Sequence, residues 1–453
     1  MFSIFGIYKL ILLALYIKNR KNVPKPSETL APLPKVTVQL PIFNEYNVVD
    51  RLIRATCEMD YPRELIEIQV LDDSNDETKG LARSIVNEYQ QKGINIKHIT
   101  RDNRKDFKAG ALAYGLKKAE GEFLAVFDAD FVPPKNFLKD TIHYFSNHNV
   151  GMVQTRWSFV NEKYSLLTKI QSVFLNGHFI LEHTSRNRSG RFFNFNGTAG
   201  IWRKTAIQSA GGWHGDTLTE DLDLSYRAQM KGWKFIYLKD LTVPSELPVE
   251  IDALKSQQFR WVKGMTQVAL KLLPIIWKSD ISFIRKLDST LHLVSNIGYV
   301  TTTLMAILVI PILVFQEGLF KTWSFWWAAF FIFTNLLSIM AYYFYAEIEL
   351  KNLTWRRIWN ILCLIPIGVG LSLNGTKAIF DAMRGKKSEF VRTPKYNIDK
   401  NHLGNIKKYF THSSSISVVE MIFASYYIFN TILVIQSGNI YFLPAIMIFA
   451  PGY

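Results

Sequence analysis

Two hydrophobic patterns share this chain. Between residues 36 and 130, short apolar runs at 36–41, 66–71, 94–99 and 123–127 alternate with stretches of helical spacing. The first such stretch holds Val48, Val49, Leu52, Ile53 and Ala55, and the next two cover about 76–91 and about 107–119. Strand and helix in alternation predict an α/β domain with a parallel sheet, the helices covering its faces. The second pattern consists of longer apolar segments at 2–17, about 289–315, 325–346, 358–373, 416–436 and 440–453. A membrane-crossing helix needs about 20 mainly apolar residues. Segments 289–315, 325–346 and, despite Asn430, 416–436 meet that length. Trp323, Trp326 and Trp327 introduce the second of these, as expected of an aromatic belt at a membrane surface. An α-helical transmembrane region is therefore expected beside the α/β domain.

Segments 2–17 and 358–373 differ from the others. Lys9 interrupts the first, and Lys18-Asn19-Arg20-Lys21 follows it. A cleavable signal has its basic residues in front, so 2–17 is expected to be an uncleaved anchor, with a helix lying in the interface as the alternative. The second contains Pro366, Gly368 and Gly370, and is expected to be a broken, interfacial or re-entrant helix.

Charge fixes the expected orientation. The 453 residues carry a net charge of +15, which raises nucleic acid as a partner. Residues 1–34 hold net +4, 35–288 hold 35 basic against 30 acidic residues, and 289–453 hold net +6. The excess thus flanks the apolar segments, the signature of positive loops on the cytoplasmic side and not of a nucleic-acid face. Residues 347–412, with 12 basic and five acidic residues, belong on that side. The expected topology has five spans, an external N-terminus, and residues 18–288 in the cytoplasm. An apolar content of 48% excludes a disordered chain, and two distant cysteines, Cys57 and Cys363, offer neither a disulfide framework nor a cysteine zinc site.

Candidate chemistry sits where the α/β pattern puts strand ends. Asp72-Asp73 closes the second apolar run and Asp128-Ala129-Asp130 the fourth. Parallel sheets bind ligands at the carboxyl ends of their strands. Asp128 and Asp130 can hold a hard divalent cation such as Mg²⁺ that would bridge to a diphosphate. Asp72 or Asp73 can accept from a base or ribose, and Lys108 can touch a nucleotide. Taken singly, each acidic pair is an ordinary solvated turn. Further on, Asn194–Gly200 is a small-residue stretch that a ligand could approach closely. Thr219-Glu220-Asp221-Leu222-Asp223 opens a helix. It reads either as a capped, dipole-compensated start or as the place of a general base, Asp221. Gln257, Arg260 and Trp261 share one face of an amphipathic helix over about 252–277, suited to hydroxyls, phosphate and a sugar ring, or to a membrane-surface helix.

In this order, Asp72-Asp73, Lys108-Ala109-Gly110, Asp128-Ala129-Asp130, Asn196-Gly197-Thr198, Thr219-Glu220-Asp221 and Gln257-x-x-Arg260-Trp261 resemble membrane-embedded family-2 glycosyltransferases of the cellulose synthase and cellulose-synthase-like type, including mannan and glucan synthases. The resemblance covers roughly 35–400. It implies a GT-A-like (Rossmann-like) fold and an inverting, processive transfer of hexose from a sugar nucleotide, UDP-glucose or GDP-mannose, to a growing β-glycan, coupled to its translocation across the membrane. It implies Mg²⁺ or Mn²⁺ on Asp128 and Asp130, nucleotide contacts from Asp72, Asp73 and Lys108, and Asp221 as base. Acceptor and pyrophosphate would be held by Asn196, Glu220, Gln257, Arg260 and Trp261. The family's gating loop, Phe-x-Val-Thr-x-Lys, is matched at Phe390, Thr393 and Lys395, with Arg392 in place of Val. The implied organisation is an anchor and basic linker (1–34), a GT-A-like domain (35–250), amphipathic interface helices (251–288), a transmembrane hairpin (289–346), an interfacial helix with the gating-like loop (347–412), and a second hairpin (413–453). The implied partners are the donor, a glycan acceptor and the bilayer, with no nucleic acid. The alternatives are a non-processive transferase acting on a lipid, and a non-catalytic membrane channel. The channel predicts a lost catalytic acid, whereas Asp73, Asp128, Asp130 and Asp221 are all present.

Overall fold

The computed structural model describes residues 2–315, 323–387, 392–398, 416–436 and 443–453. Strands β1 (Val36–Ile42), β2 (Ile66–Asp72), β3 (Ile96–Thr100), β4 (Phe123–Val126), β5 (Val150–Phe159), β6 (Gly200–Arg203) and β7 (Lys234–Ser245) form one sheet in the order β3-β2-β1-β4-β6-β5-β7. Helices Tyr46–Cys57, Thr78–Gln91 and Phe107–Lys118 link the first four strands, which run parallel as the alternation predicts. The sheet is nevertheless mixed, because β6 is antiparallel to both β4 and β5. β4 leaves the sheet at the edge carrying Asp128. The Asn196–Ala199 loop starts from that same edge, with Ala199 N–H donating to the Val126 carbonyl at 2.8 Å. A strand entering there can only run backwards.

Period-two alternation gives each sheet face its own core. Phe123 and Ala125 of β4 join Val36, Val38 and Leu40 of β1 on one face. Leu124 and Val126 join Leu112 and Trp202 on the other. The acidic residues are thereby left to the strand ends.

The remaining helices stand against this domain. Phe2–Asn19 runs along Trp323–Glu349, and Gly6 permits the approach: a Cβ there would fall 2.4 Å from Asn335 Oδ1. Ile251–Lys278 packs on Leu364–Met383. The break expected at 366–370 is absent, and Leu364–Met383 is continuous. Pro366 lies in the first turn, where its missing N–H costs nothing. Gly370 serves close packing, since a Cβ there would lie 2.3 Å from the Gly452 carbonyl. Among the described residues, Trp355–Met383 and Val418–Gln436 are long and apolar enough to cross a membrane, and the bent pair Phe283–Leu293 and Ile297–Leu308 makes a third if it is one span. Trp355–Met383 touches the α/β domain near its start and the Ile251–Lys278 helix further along. Arg357 pairs with Glu162 and donates to Ser172 at 2.9 Å, while Asn374 donates to the Lys255 carbonyl at 2.8 Å.

Candidate active site

The carboxyl ends of β1, β2, β4 and β7 converge on a cavity of about 210 Å³. Asp73, Lys108, Asp128, Asp130, Asn196, Glu220, Asp221, Gln257, Arg260, Trp261, Thr393 and Lys395 all line it. Residues spread over more than 300 positions of sequence thus meet in one place. Asp72 does not join them. Successive strand residues face opposite ways, and Asp72 turns inward, accepting from Ser74 N at 2.9 Å and meeting His98 Nε2 at 2.7 Å. Burial opposes ionisation there, but His98 and Ser74 outweigh it and the pKa is lowered. Asp72 therefore shapes the strand end, and Asp73 alone faces the cavity, held by Arg101 with Nε at 2.9 Å from Oδ1. Phe390 lies outside the described residues.

Asp128 and Asp130 each hold a lysine. Lys108 Nζ lies 2.5 Å from Asp128 Oδ1, 2.9 Å from the Gly197 carbonyl and 4.0 Å from Glu220. Lys395 Nζ lies 2.7 Å from Asp130 Oδ2 and donates to the Glu246 carbonyl. Burial opposes the charge on Lys108, yet Asp128 and Glu220 prevail and its pKa is raised. Asp128 and Asp130 themselves offer only oxygen donors, the donor type that suits Mg²⁺ or Mn²⁺, and each already holds the positive charge of a lysine. Gly197 makes this packing possible. Its φ is +81°, and a Cβ would sit 3.0 Å from Asp221 Oδ2 and 3.2 Å from Lys108 Nζ.

Asp221 sits in the first turn of the Glu220–Met230 helix. Thr219 makes no side-chain capping bond, and Asp221 Oδ1 accepts from the first-turn Leu222 N–H at 2.8 Å. Burial, reinforced by neighbouring Glu220, pushes Asp221 up to about 7. Glu220 is also raised, by burial, against the pull of Lys108. Asp223 points elsewhere, to Arg227 at 2.6 Å and Lys271 at 2.9 Å. Gln257, Arg260 and Trp261 reach the cavity from the Ile251–Lys278 helix, and burial lowers Arg260 to about 10.

The 392–398 segment closes one side. Arg392 pairs with Glu45 Oε2 at 2.9 Å, Arg260 donates to Thr393 Oγ1 at 2.9 Å, and Tyr396 N–H donates to Glu246 Oε1 at 2.8 Å. Burial, opposed by Arg392, raises Glu45 to about 8. Sequence reasoning missed Glu45 and Glu246. Glu45 follows β1 just as Asp73 follows β2, so the strand-end rule could have found it. Glu246 follows β7, a strand that was not anticipated. Phe43 and Arg104 were missed too. Both line the cavity near Asp73, the guanidinium 3.3 Å from the ring centroid.

Residues 34–264 match the family model described as glycosyltransferase-like family 2. Probable glucomannan 4-beta-mannosyltransferase 7 of Oryza sativa subsp. japonica is 45% identical over 259 residues, 56% of this chain and 44% of that protein. Glucomannan 4-beta-mannosyltransferase 7 of Arabidopsis thaliana is 41% identical over 255 residues, 55% of this chain and 46% of that protein. The chain spans about half the length of the curated relatives it matches. Among solved structures, the mannosyltransferase PcManGT from Pyrobaculum calidifontis, in complex with GDP-Man and Mn²⁺, shares the fold: TM-score 0.54 at 16% identity, over 85% of this chain and 100% of that one. With more than half of its length matched by the model, the chain belongs to glycosyltransferase-like family 2.

Proposed function

We propose that this protein is an inverting, metal-dependent mannosyltransferase that extends a β-glycan from GDP-mannose. The observation carrying the reading is the meeting of Asp221 with Asp128, Asp130, Lys108 and Arg260 in one cavity. The names of the rice and Arabidopsis relatives support mannose as the sugar transferred and a glucomannan as the acceptor. Asp73, Phe43 and Arg104 make the end of the cavity suited to a base and ribose. Trp261 and Gln257, which line the same cavity, offer a ring platform and hydroxyl partners. The Asp221 carboxylate takes the proton of the acceptor hydroxyl as its oxygen bonds to the anomeric carbon. The bond from that carbon to the diphosphate breaks with its electron pair leaving on the diphosphate, so one displacement inverts an α-linked donor into a β-linked product. Lys108 and Arg260 place positive charge where the leaving group gains negative charge. A divalent cation on Asp128 and Asp130 would supply Lewis-acid neutralisation of the diphosphate.

The reading extends to placement: the apolar helices embed the protein in a membrane, and the α/β domain faces the cytoplasm. The test is a donor screen with full-length protein in lipid nanodiscs and Mn²⁺. GDP-mannose should yield polymer sensitive to β-mannanase. Polymer from UDP-glucose alone would replace mannose with glucose. Single-sugar, lipid-extractable product would establish the lipid-acceptor alternative. No transfer from any donor would sink the enzymatic reading.

A further inference from the structure

One buried cluster lies behind the cavity and takes no part in the chemistry above. The helix Leu166–Asn176 continues as a π-helical run, Gly177–His183, before returning to α-helix at Thr184–Arg188. Such insertions are uncommon and recur at functional sites. Here the consequence is geometric. Residues five apart on an α-helix point about 140° away from each other. Wider winding brings His178 and His183, five apart, onto one side, with ring centroids 4.2 Å from each other. Both face Asn196, which lines the cavity. Asn196 Nδ2 lies 2.7 Å from His183 Nε2, and Asn196 Oδ1 lies 3.4 Å from His178 Nε2. Burial, with His178 adding to it, holds His183 well below its ordinary pKa, so a neutral ring is available as acceptor. The next residue, Gly197, carries the carbonyl that holds Lys108.

The cluster is fastened from outside the α/β domain. Glu182 Oε2 lies 3.2 Å from Lys9 Nζ and 3.5 Å from His178 Nδ1. Burial opposes the charge on Glu182, but Lys9 and His178 outweigh it and its pKa is well lowered. Lys9 also stands 4.7 Å over the Tyr342 ring, and Tyr342 donates to the Gly177 carbonyl at 2.9 Å. The lysine interrupting the N-terminal apolar run therefore pairs with a carboxylate, shared with Arg186, one residue from the histidine behind Asn196.

We propose that the π-helical His178–His183 pair is a clamp on the Asn196 amide, and that Lys9 of the N-terminal helix sets the clamp through Glu182. All four are positioning residues: they act on transfer through Asn196 and touch neither donor nor acceptor. The proposal rests on the transferase reading for its kinetic arm only. Full-length protein in nanodiscs is compared as wild type, H183L, H183Q, K9M and K9R. H183L is expected to lower kcat about tenfold while GDP affinity, measured by calorimetry, stays within about twofold. H183Q, which keeps an acceptor, should recover most of the loss. K9M should act in the same direction and K9R should restore it. The K9M/H183L double variant should be no worse than H183L alone, because both act through one group. Independently of turnover, amide hydrogen exchange over 194–198 should rise about tenfold in K9M and H183L, with 36–42 unchanged. K9M with wild-type exchange and kcat, or losses that simply add, would overturn the clamp. If no donor supports transfer, the exchange arm still decides it.

Discussion

Asp221 shows how far one residue can be read. Three acids in four positions pointed to the Glu220–Met230 helix start, but the sequence does not say which faces the chemistry. The helix turns Asp223 onto Arg227 and Lys271 and leaves Glu220 and Asp221 with Lys108. Burial then holds Asp221 near 7, where a carboxyl is a far better base than at its ordinary value. A base works deprotonated, so kcat/KM for transfer should be level above about pH 7 and fall as pH drops through it. The limb belongs to the coupled Glu220–Asp221 pair. Asp221→Asn should cost roughly 10²–10⁴-fold in kcat and leave GDP binding unchanged. A profile flat between about pH 5 and 8 at saturating Mn²⁺, or an active Asn variant, would remove Asp221 from the base role.

At the scale of elements, the Ile251–Lys278 helix must lie flush against the start of the Glu220–Met230 helix for Arg260 and Asp221 to share a cavity. Gly264 is the point of contact. A Cβ there would lie 2.5 Å from Thr219 Cγ2 and 2.9 Å from its backbone nitrogen, and a backbone neighbour cannot swing aside. Gly264→Ala should therefore part the helices, destabilising the protein by roughly 1–3 kcal/mol and lowering kcat more than it weakens GDP binding. An Ala variant with wild-type Tm and kcat would show that this contact does not set the site. Nothing in the sequence marks Gly264, because its role is a contact 45 positions away. The same division holds elsewhere. β1, β2 and β4, and the acids closing β2 and β4, were legible because periodicity and strand-end logic are local. β6 was not, being four residues long and oriented by where its loop begins. The π-run was hidden because its neighbours continue a helical pattern on both sides. The break expected at Pro366 was misread because the sequence does not show that this proline falls in a first turn. Lys395 came from resemblance alone, and only the fold explains it, as the partner of Asp130.

For the whole molecule, direct contacts constrain which of the apolar helices can cross a membrane in the placement proposed above. Glu349 pairs with Lys239 at 3.0 Å, so the end of Trp323–Glu349 lies on the side of the α/β domain. Lys395 pairs with Asp130, so the 392–398 segment lies there as well. The intervening Trp355–Met383 has the composition of a span, yet a single crossing would separate a start held by the α/β domain from a far end held by the Ile251–Lys278 helix, whose Arg260 lines the same cavity as that domain. Its Arg357 reaches Glu162, and Lys263 donates to the Lys386 carbonyl at 2.6 Å just beyond its other end. Hydropathy and contact disagree, and contact is the stronger constraint, because neither ion pairs nor hydrogen bonds span about 30 Å of hydrocarbon. Its amphipathic first turns, with Trp355 and Trp359 exposed, suit a helix lying along the membrane surface. The prediction is that cysteines introduced singly at exposed Asn352 and Lys387 react with a membrane-impermeant maleimide from the same side of sealed vesicles, the side that exposes the α/β domain to protease. Labelling of the two from opposite sides would make this helix a true span and would require 392–398 to reach the cavity from across the membrane.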